Sequence, residues 1–285
     1  MKPAKFEYHA PRELEEALSL LAEAGDEAKI LAGGQSLVPS MNFRLARPAV
    51  LIDINGVPGL DRIAPTDGNL LIGAMARHAT FERPVIDGPL GELLALAAHN
   101  VGHLPIRVRG TFGGSLAHAD PAAEWCMIAT LLDATIVASS VRGRREIQAR
   151  DFFKTVFSTS LEADEILTEI KLPLPEPGTQ VGFVEFSRRA GDFAIVAAAT
   201  VLQVVGGRIE SARVAFGGVG GTPLRSQAAE AVLTGSQPNE DLFVAAGEAA
   251  SQEVEPMGDI HGSPEYRRDL VRVLTRRALQ SFKGA

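Results

Sequence analysis

Two stretches decide how this chain reads: Leu31-Ala32-Gly33-Gly34-Gln35-Ser36-Leu37 and Gly110-Thr111-Phe112-Gly113-Gly114-Ser115-Leu116. Each sets a double glycine shortly before a serine, and the first directly follows the apolar run Ala28 to Ala32, a short strand candidate. Consecutive glycines admit positive φ and leave backbone N–H groups open, with no Cβ in the way. Such N–H groups form a concavity that attracts phosphate oxygens, so two nests could hold two faces of one pyrophosphate. The same residues also suit ordinary tight turns. Neither stretch matches the G-x-G-x-x-G dinucleotide fingerprint or the G-x-x-x-x-G-K-[ST] loop, so a nucleotide site here is of another type.

Outward from the first stretch, Leu14, Leu18 and Leu21 predict an amphipathic helix over Ala10 to Ala24, closed by Gly25 in a left-handed C′ position. With a second strand at Val50 to Ile54, the beginning of the chain reads as a compact β–α–β unit. A strand is expected at Leu70 to Ala74 and a helix at Leu90 to Asn100. The polar, glycine-rich stretch Gly102 to Asp120 carries no expected element. A helix follows from Pro121 to about Leu132, with Asp120 as N-cap, and then strands at Thr135 to Ser139 and Arg144 to Gln148. Leu172-Pro173-Leu174-Pro175-Glu176-Pro177-Gly178 is the clearest boundary, because three prolines and a glycine continue neither a helix nor a central strand. Beyond it, Val181 to Ser187, Ala194 to Val205 and Ile209 to Phe216 read as antiparallel strands. Ala228 to Leu233, Asp241 to Glu253 and Pro264 to Phe282 read as helices, the last arginine-rich in the manner of a solvated face or subunit contact.

Composition narrows the function. The 285 residues suggest about two domains. With 28 Lys and Arg against 35 Asp and Glu, the net charge of −7 lacks the cationic footprint of a nucleic-acid binder. The single cysteine, Cys126, permits no intrachain disulfide and no cysteine-ligated cluster within this chain, and reads as inert core. No signal peptide opens the sequence, and the longest apolar segment, Phe193 to Val205, falls short of a membrane span, so a cytoplasmic location is expected. His99, His103 and His118 could suggest metal, but their spacing without nearby cysteine favours structural roles.

Ala32-Gly33-Gly34-Gln35-Ser36-Leu37-Val38-Pro39 with Arg44-Leu45-Ala46-Arg47-Pro48 resembles the first FAD motif of the flavoprotein subunits of molybdenum hydroxylases. Ile106 through Glu124 resembles the second, and Glu165-Ile166-Leu167 and Arg188 to Ala194 match further recurring patches of that family, which includes the medium subunit of aerobic carbon monoxide dehydrogenase and the FAD domain of xanthine dehydrogenase. The resemblance implies an α+β protein: a PCMH-type FAD-binding domain over 1–176, built of subdomains 1–54 and 55–176, and a C-terminal flavoprotein domain over 177–285. It implies non-covalent FAD, with Ala32, Gly33, Gly34, Gln35 and Ser36 around one side of the pyrophosphate and Thr111, Phe112, Gly113, Gly114 and Ser115 around the other. Glu124 then falls near the sugar and ribityl hydroxyls, although a carboxylate there also suits a helix start. Val101 and Leu167 fall around the flavin and adenine.

Two departures stand out. Gln35 occupies a place where relatives often carry His, and Glu185 one where several carry Lys reaching the flavin, so an acid there is expected to lower the flavin potential. By the same resemblance the chain is the electron-transfer subunit of a heterotrimer. It takes electrons from [2Fe–2S] clusters on a small subunit, beside a large molybdopterin subunit, in an assembly expected to be a dimer of heterotrimers. Two other readings keep the fold: a self-contained FAD-dependent reductase, and a flavin-free structural subunit.

Overall fold

The computed structural model describes residues 2–282; Met1 and residues 283–285, at the outer ends of the expected segments, lie outside the described residues. The chain starts with β1 (Glu7–His9), α1 (Leu14–Ala24), β2 (Ala28–Leu31), α2 (Leu37–Asn42) and β3 (Val50–Asp53). The three strands pair in parallel, in the order β1-β3-β2. Helix α1 begins at Leu14, later than the sequence suggests, and buries Ala17, Leu18 and Leu21 against Ala28 and Ile52. Gly25 takes φ +54°, as its place after the helix requires.

Next come β4 (Ile63–Thr66), β5 (Asn69–Gly73), α3 (Pro89–Ala98), α4 (Leu104–Arg107), α5 (Phe112–His118), α6 (Glu124–Leu131), β6 (Thr135–Ser140), β7 (Gly143–Gln148), α7 (Ala149–Phe152), β8 (Phe153–Thr155), β9 (Ser158–Thr159) and β10 (Ile166–Pro173). The second sheet is antiparallel with the order β4-β5-β10-β6-β7. Its central strand is the last in sequence. Three expectations need correcting here. The proline-rich stretch does not begin outside the sheet: β10 carries Leu172 and Pro173, paired with Leu70 and Asn69, and Pro173 is tolerated because pairing with β6 has already ended at Lys171. The stretch Gly102 to Asp120 is not irregular: it holds α4 and α5, the latter started by Thr111, whose hydroxyl accepts from the Gly114 N–H at 3.0 Å. Helix α6 starts at Glu124, because the Asp120 carboxylate caps a turn instead, accepting from the Ala122 N–H at 2.9 Å.

The third sheet, β11 (Thr179–Phe186), β12 (Val196–Val205), β13 (Arg208–Gly217) and β14 (Leu224–Arg225), is antiparallel in sequence order. One face packs on α8 (Gln227–Leu233), α9 (Glu240–Glu253) and α10 (Pro264–Gln280), through Val196, Ala198, Val214, Phe243, Val271 and Leu274. The opposite face sends Val181, Phe183, Ala197, Ala199 and Ala215 into the core that also holds α3, α6 and β10. Alternation along each strand thus divides its residues between two cores. The arginines of α10 are not uniformly solvated. Arg267 is buried, paired with Asp259 at 2.7 Å, and donates to the carbonyls of Gly218 (2.8 Å) and Ile195. It ties the β13 end to the loop before the helix.

Candidate functional site

The first glycine pair follows β2 and runs into α2. The Gly33 Cα faces the backbone of the second stretch so closely that a Cβ would lie 2.5 Å from the Arg109 carbonyl oxygen and 2.6 Å from Gly110 Cα. Any side chain there would pry the two loops apart. Gly34 adopts φ +72°, a region costly for other residues. The carbonyls of Gly33, Gly34 and Ser36 accept from Gln35 Nε2 (2.9 Å), the Val38 N–H (3.0 Å) and the Ser40 N–H (3.1 Å). Among the described residues, no protein acceptor meets the N–H groups of Gly33, Gly34, Gln35 and Ser36. The loop therefore spends its acceptors on itself and keeps its donors.

The second pair behaves differently. The N–H groups of Phe112, Gly113, Gly114 and Ser115 go to Ala76 O (2.9 Å), Ala74 O (2.9 Å), Thr111 Oγ1 (3.0 Å) and Thr111 O (3.0 Å). This stretch is not the open nest its glycines suggest. A Cβ on Gly113 would sit 2.5 Å from that of Ala74, so this glycine serves the packing of α5 on the end of β5. What the stretch can offer a ligand is the Ser115 hydroxyl and the surface around Thr111.

Between the two stretches opens a cavity of about 740 Å³, inside the range of about 300–1,000 Å³ usual for small-molecule and cofactor sites. On its wall stand Ala32, Gly33, Gly34, Gln35 and Ser36 from the first loop, Thr111, Gly113, Gly114 and Ser115 from the second, and Val101, Glu124 and Leu167. The structure thus brings these twelve sequence-expected positions, spread over five elements and loops, to one cleft. Phe112 and Glu185 stand off the wall. The Phe112 ring is fully buried and stacks on Trp125 with centroids 4.6 Å apart. Among the described residues Lys29 is the one lysine or arginine on the wall, facing Asp26, Asp120, Glu124, Glu162, Glu165 and Asp192. A pyrophosphate in this acidic cleft has to rely on backbone donors, which is what the first loop retains.

Glu185 lies opposite Ala197 on β12, and Ala197 opposite Gly217 on β13. That row abuts the approach to α6, since the Gly218 N–H donates to Pro121 O at 2.9 Å. Burial, and then the Glu124 charge, push the Glu185 carboxyl up to about 9, and its Oε2 is buried with no hydrogen-bond partner among the described residues. Burial also raises Glu124 to about 7, opposed by its own backbone N–H and reinforced by Asp120. Glu165, by contrast, is held below the usual carboxylate range by the bidentate Arg145 guanidinium, at 2.6 and 2.7 Å.

Sequence reasoning missed His78, which lines the cleft and receives the Trp125 Nε1–H on Nδ1 at 2.9 Å. The partners are 47 residues apart, and neither sits in a recognisable motif. The three histidines read as structural take separate places. His99 bonds its own helix at Ala95 O (2.6 Å), His103 packs on Gly191, and His118 stacks on Phe157 with centroids 4.8 Å apart. Cys126 is buried, its thiol raised by desolvation and donating to Ser115 O at 3.4 Å.

Comparison with known proteins places this geometry. The model of the FAD binding domain in molybdopterin dehydrogenase matches residues 4–175, and that of the CO dehydrogenase flavoprotein C-terminal domain matches residues 182–282. The 6-hydroxypseudooxynicotine dehydrogenase complex subunit alpha of Paenarthrobacter nicotinovorans is 42% identical over 280 residues, covering 98% of this chain and 95% of that one. The nicotine 6-hydroxylase medium subunit of the same organism is also 42% identical over 280 residues, covering 98% of each. A solved chain of the carbon monoxide dehydrogenase of Hydrogenophaga pseudoflava superposes with a TM-score of 0.94 at 37% identity, covering 98% of each chain.

Proposed function

Because the chain belongs to the FAD-binding medium subunits of the molybdenum hydroxylase family, we propose that it is the electron-transfer subunit of a heterotrimeric oxidoreductase, set between [2Fe–2S] clusters of a small subunit and an external acceptor. The observation that carries this reading is the cleft itself: a loop with four unspent backbone donors, closed against a second loop by a glycine contact, over a cavity of cofactor size. When bound there, FAD supplies a carrier able to take electrons singly and release them in pairs, chemistry that belongs to the cofactor.

The chain's own residues bind and tune. The Gly33 to Ser36 N–H groups and the Ser115 hydroxyl hold the pyrophosphate, and Glu124 accepts from sugar or ribityl hydroxyls. Val101 and Leu167 supply apolar contact. Glu185, off the wall but beside Glu124, carries a proton at neutral pH, so it adds no charge near the cofactor and supplies no cation to favour the reduced flavin. We divide the chain into a FAD-binding domain over 1–176, with subdomains 1–54 and 55–176, and a C-terminal domain over 177–285. The one cysteine, buried and bonded to a backbone carbonyl, supports an electron donor on another chain and fits the reducing cytoplasm. Relatives named for a nicotine hydroxylase and a carbon monoxide dehydrogenase share this flavoprotein plan, which supports substrate choice by the large molybdopterin subunit, in a dimer of heterotrimers.

Purification of the chain alone and with co-expressed partner subunits tests this. FAD on the chain, reduced by substrate only in the complex, is the expected result. Substrate-driven reduction in the isolated chain would favour a self-contained reductase, and a colourless chain in an active complex would favour a structural subunit.

A further inference from the structure

The Trp125 indole is fully buried, clamped by Phe112 at 4.6 Å and Phe81 at 5.3 Å between ring centroids, and its Nε1–H donates to His78 Nδ1. An indole nitrogen donates and never accepts, so Nδ1 of His78 must present its lone pair. Burial, with Arg77 and Arg107 nearby, depresses His78 to about 4, and a neutral imidazole carries one proton. With Nδ1 occupied as an acceptor, that proton resides on Nε2.

Nε2 lies against Gly110, where a Cβ would stand 2.5 Å from it. This is the seam at which Gly33 of the first loop presses on Arg109 and Gly110. His78 forms part of the cleft wall, and among the described residues no protein acceptor takes the Nε2–H. Protein does not seal Nε2 off, so its N–H opens on the cleft, where an acceptor atom of whatever fills the cleft can take it.

We propose that His78 is a tautomer-locked hydrogen-bond donor to the cofactor, giving its Nε2–H to an oxygen or nitrogen acceptor of bound FAD at the seam of the two glycine loops, with Trp125 as the positioning residue that keeps the proton on that nitrogen. The inference rests on the FAD reading above. A neutral donor suits the site physically. It adds direction without adding charge, and the aromatic clamp leaves the indole, and hence the imidazole, a single orientation.

The test uses the full chain labelled with ¹⁵N-histidine and titrated with FAD. Long-range ¹H–¹⁵N spectra are expected to show His78 protonated at Nε2 and bare at Nδ1 before FAD is added. FAD then shifts the Nε2–H and leaves Nδ1 an acceptor. In equilibrium titrations H78F binds FAD about ten-fold more weakly, the size expected for one lost hydrogen bond with its partner left unmatched, and H78Q recovers most of the loss. W125F loses a smaller factor and shows both tautomers. A proton on Nδ1 in the wild-type chain, or H78F binding as tightly as wild type, overturns the proposal. A wild-type chain that takes up no FAD overturns the reading beneath it instead. The tautomer measurement needs no variant, so a misfolded W125F leaves the test standing.

Discussion

Glu185 should make the cofactor-free protein less stable as pH rises, and Glu185→Gln should remove most of that dependence. The folded carboxyl titrates at about 9 because burial and the neighbouring Glu124 oppose its charge, against 4.5 for the ordinary group. A carboxyl raised in the folded state adds its full stabilisation below the unfolded value, and loses it progressively as pH climbs through the folded one. At pH 7 the unfolded chain has released a proton that the folded chain still holds. At about 1.4 kcal/mol per unit, the stretch from 4.5 to 7 costs roughly 3 kcal/mol. Part of the side chain reaches solvent, which trims the expected gain to about 2 kcal/mol. For a chain of this length that corresponds to about 4 °C in Tm.

Gln keeps the shape and the hydrogen-bonding atoms while removing the ionisable group. Thermal or urea melts of the apo chain at intervals between pH 5 and 8.5 provide the assay. E185Q and wild type should nearly coincide at pH 5, diverge through pH 7 with the variant more stable, and differ most near pH 8.5. A stability difference that does not change with pH, or a variant less stable than wild type at pH 7, would refute the reasoning, since either result means that the folded carboxyl is ionised and satisfied.

Three further outcomes follow from the same geometry. Gly33→Ala forces a methyl group to 2.5 Å from the Arg109 carbonyl, so FAD affinity in an equilibrium titration should fall by more than about ten-fold, in line with the 1–3 kcal/mol typical of overpacking; unchanged affinity would show that the loops need not touch. Glu185→Lys places a cation beside Glu124 and should raise the flavin midpoint potential in spectroelectrochemical titration, and an unchanged midpoint would remove Glu185 from the field at the flavin. Arg267→Ala strips a buried guanidinium from Asp259 and two carbonyls and should lower unfolding free energy by about 3 kcal/mol in urea melts. A loss within about 0.5 kcal/mol would mark the pair as an ordinary surface one.

Much of the site was legible because its key residues are unusual in sequence. A glycine pair after a short apolar strand is rare enough to notice, and Leu14, Leu18 and Leu21 announce the helix that backs it. The other half of the cleft read less well. Gly113 and Gly114 suggest open backbone, yet they lie in a helix, because Thr111 supplies the cap and Ala74 leaves no room for a larger residue. Helix propensity counts against two glycines, and tertiary packing overrides it. Strand β10 was not read from the sequence at all, and its place beside β5 depends on pairing across nearly a hundred residues. Local pattern carries no information about such pairing.

The amino-acid sequence alone determined where the backbone is bare of side chains, where a proline-rich stretch interrupts the chain, and that a single cysteine is available to it. These follow from residue identity, since only glycine lacks a Cβ, proline lacks an N–H, and one thiol cannot hold a cluster. Protonation and donor direction came only with the tertiary structure. Glu185 holds a proton because β11 buries it beside Glu124, and His78 presents Nε2–H because Trp125 occupies the other nitrogen. Desolvation and hydrogen bonding act through space between groups that the chain keeps far apart, so the fold sets the charge of residues whose identity was plain from the start.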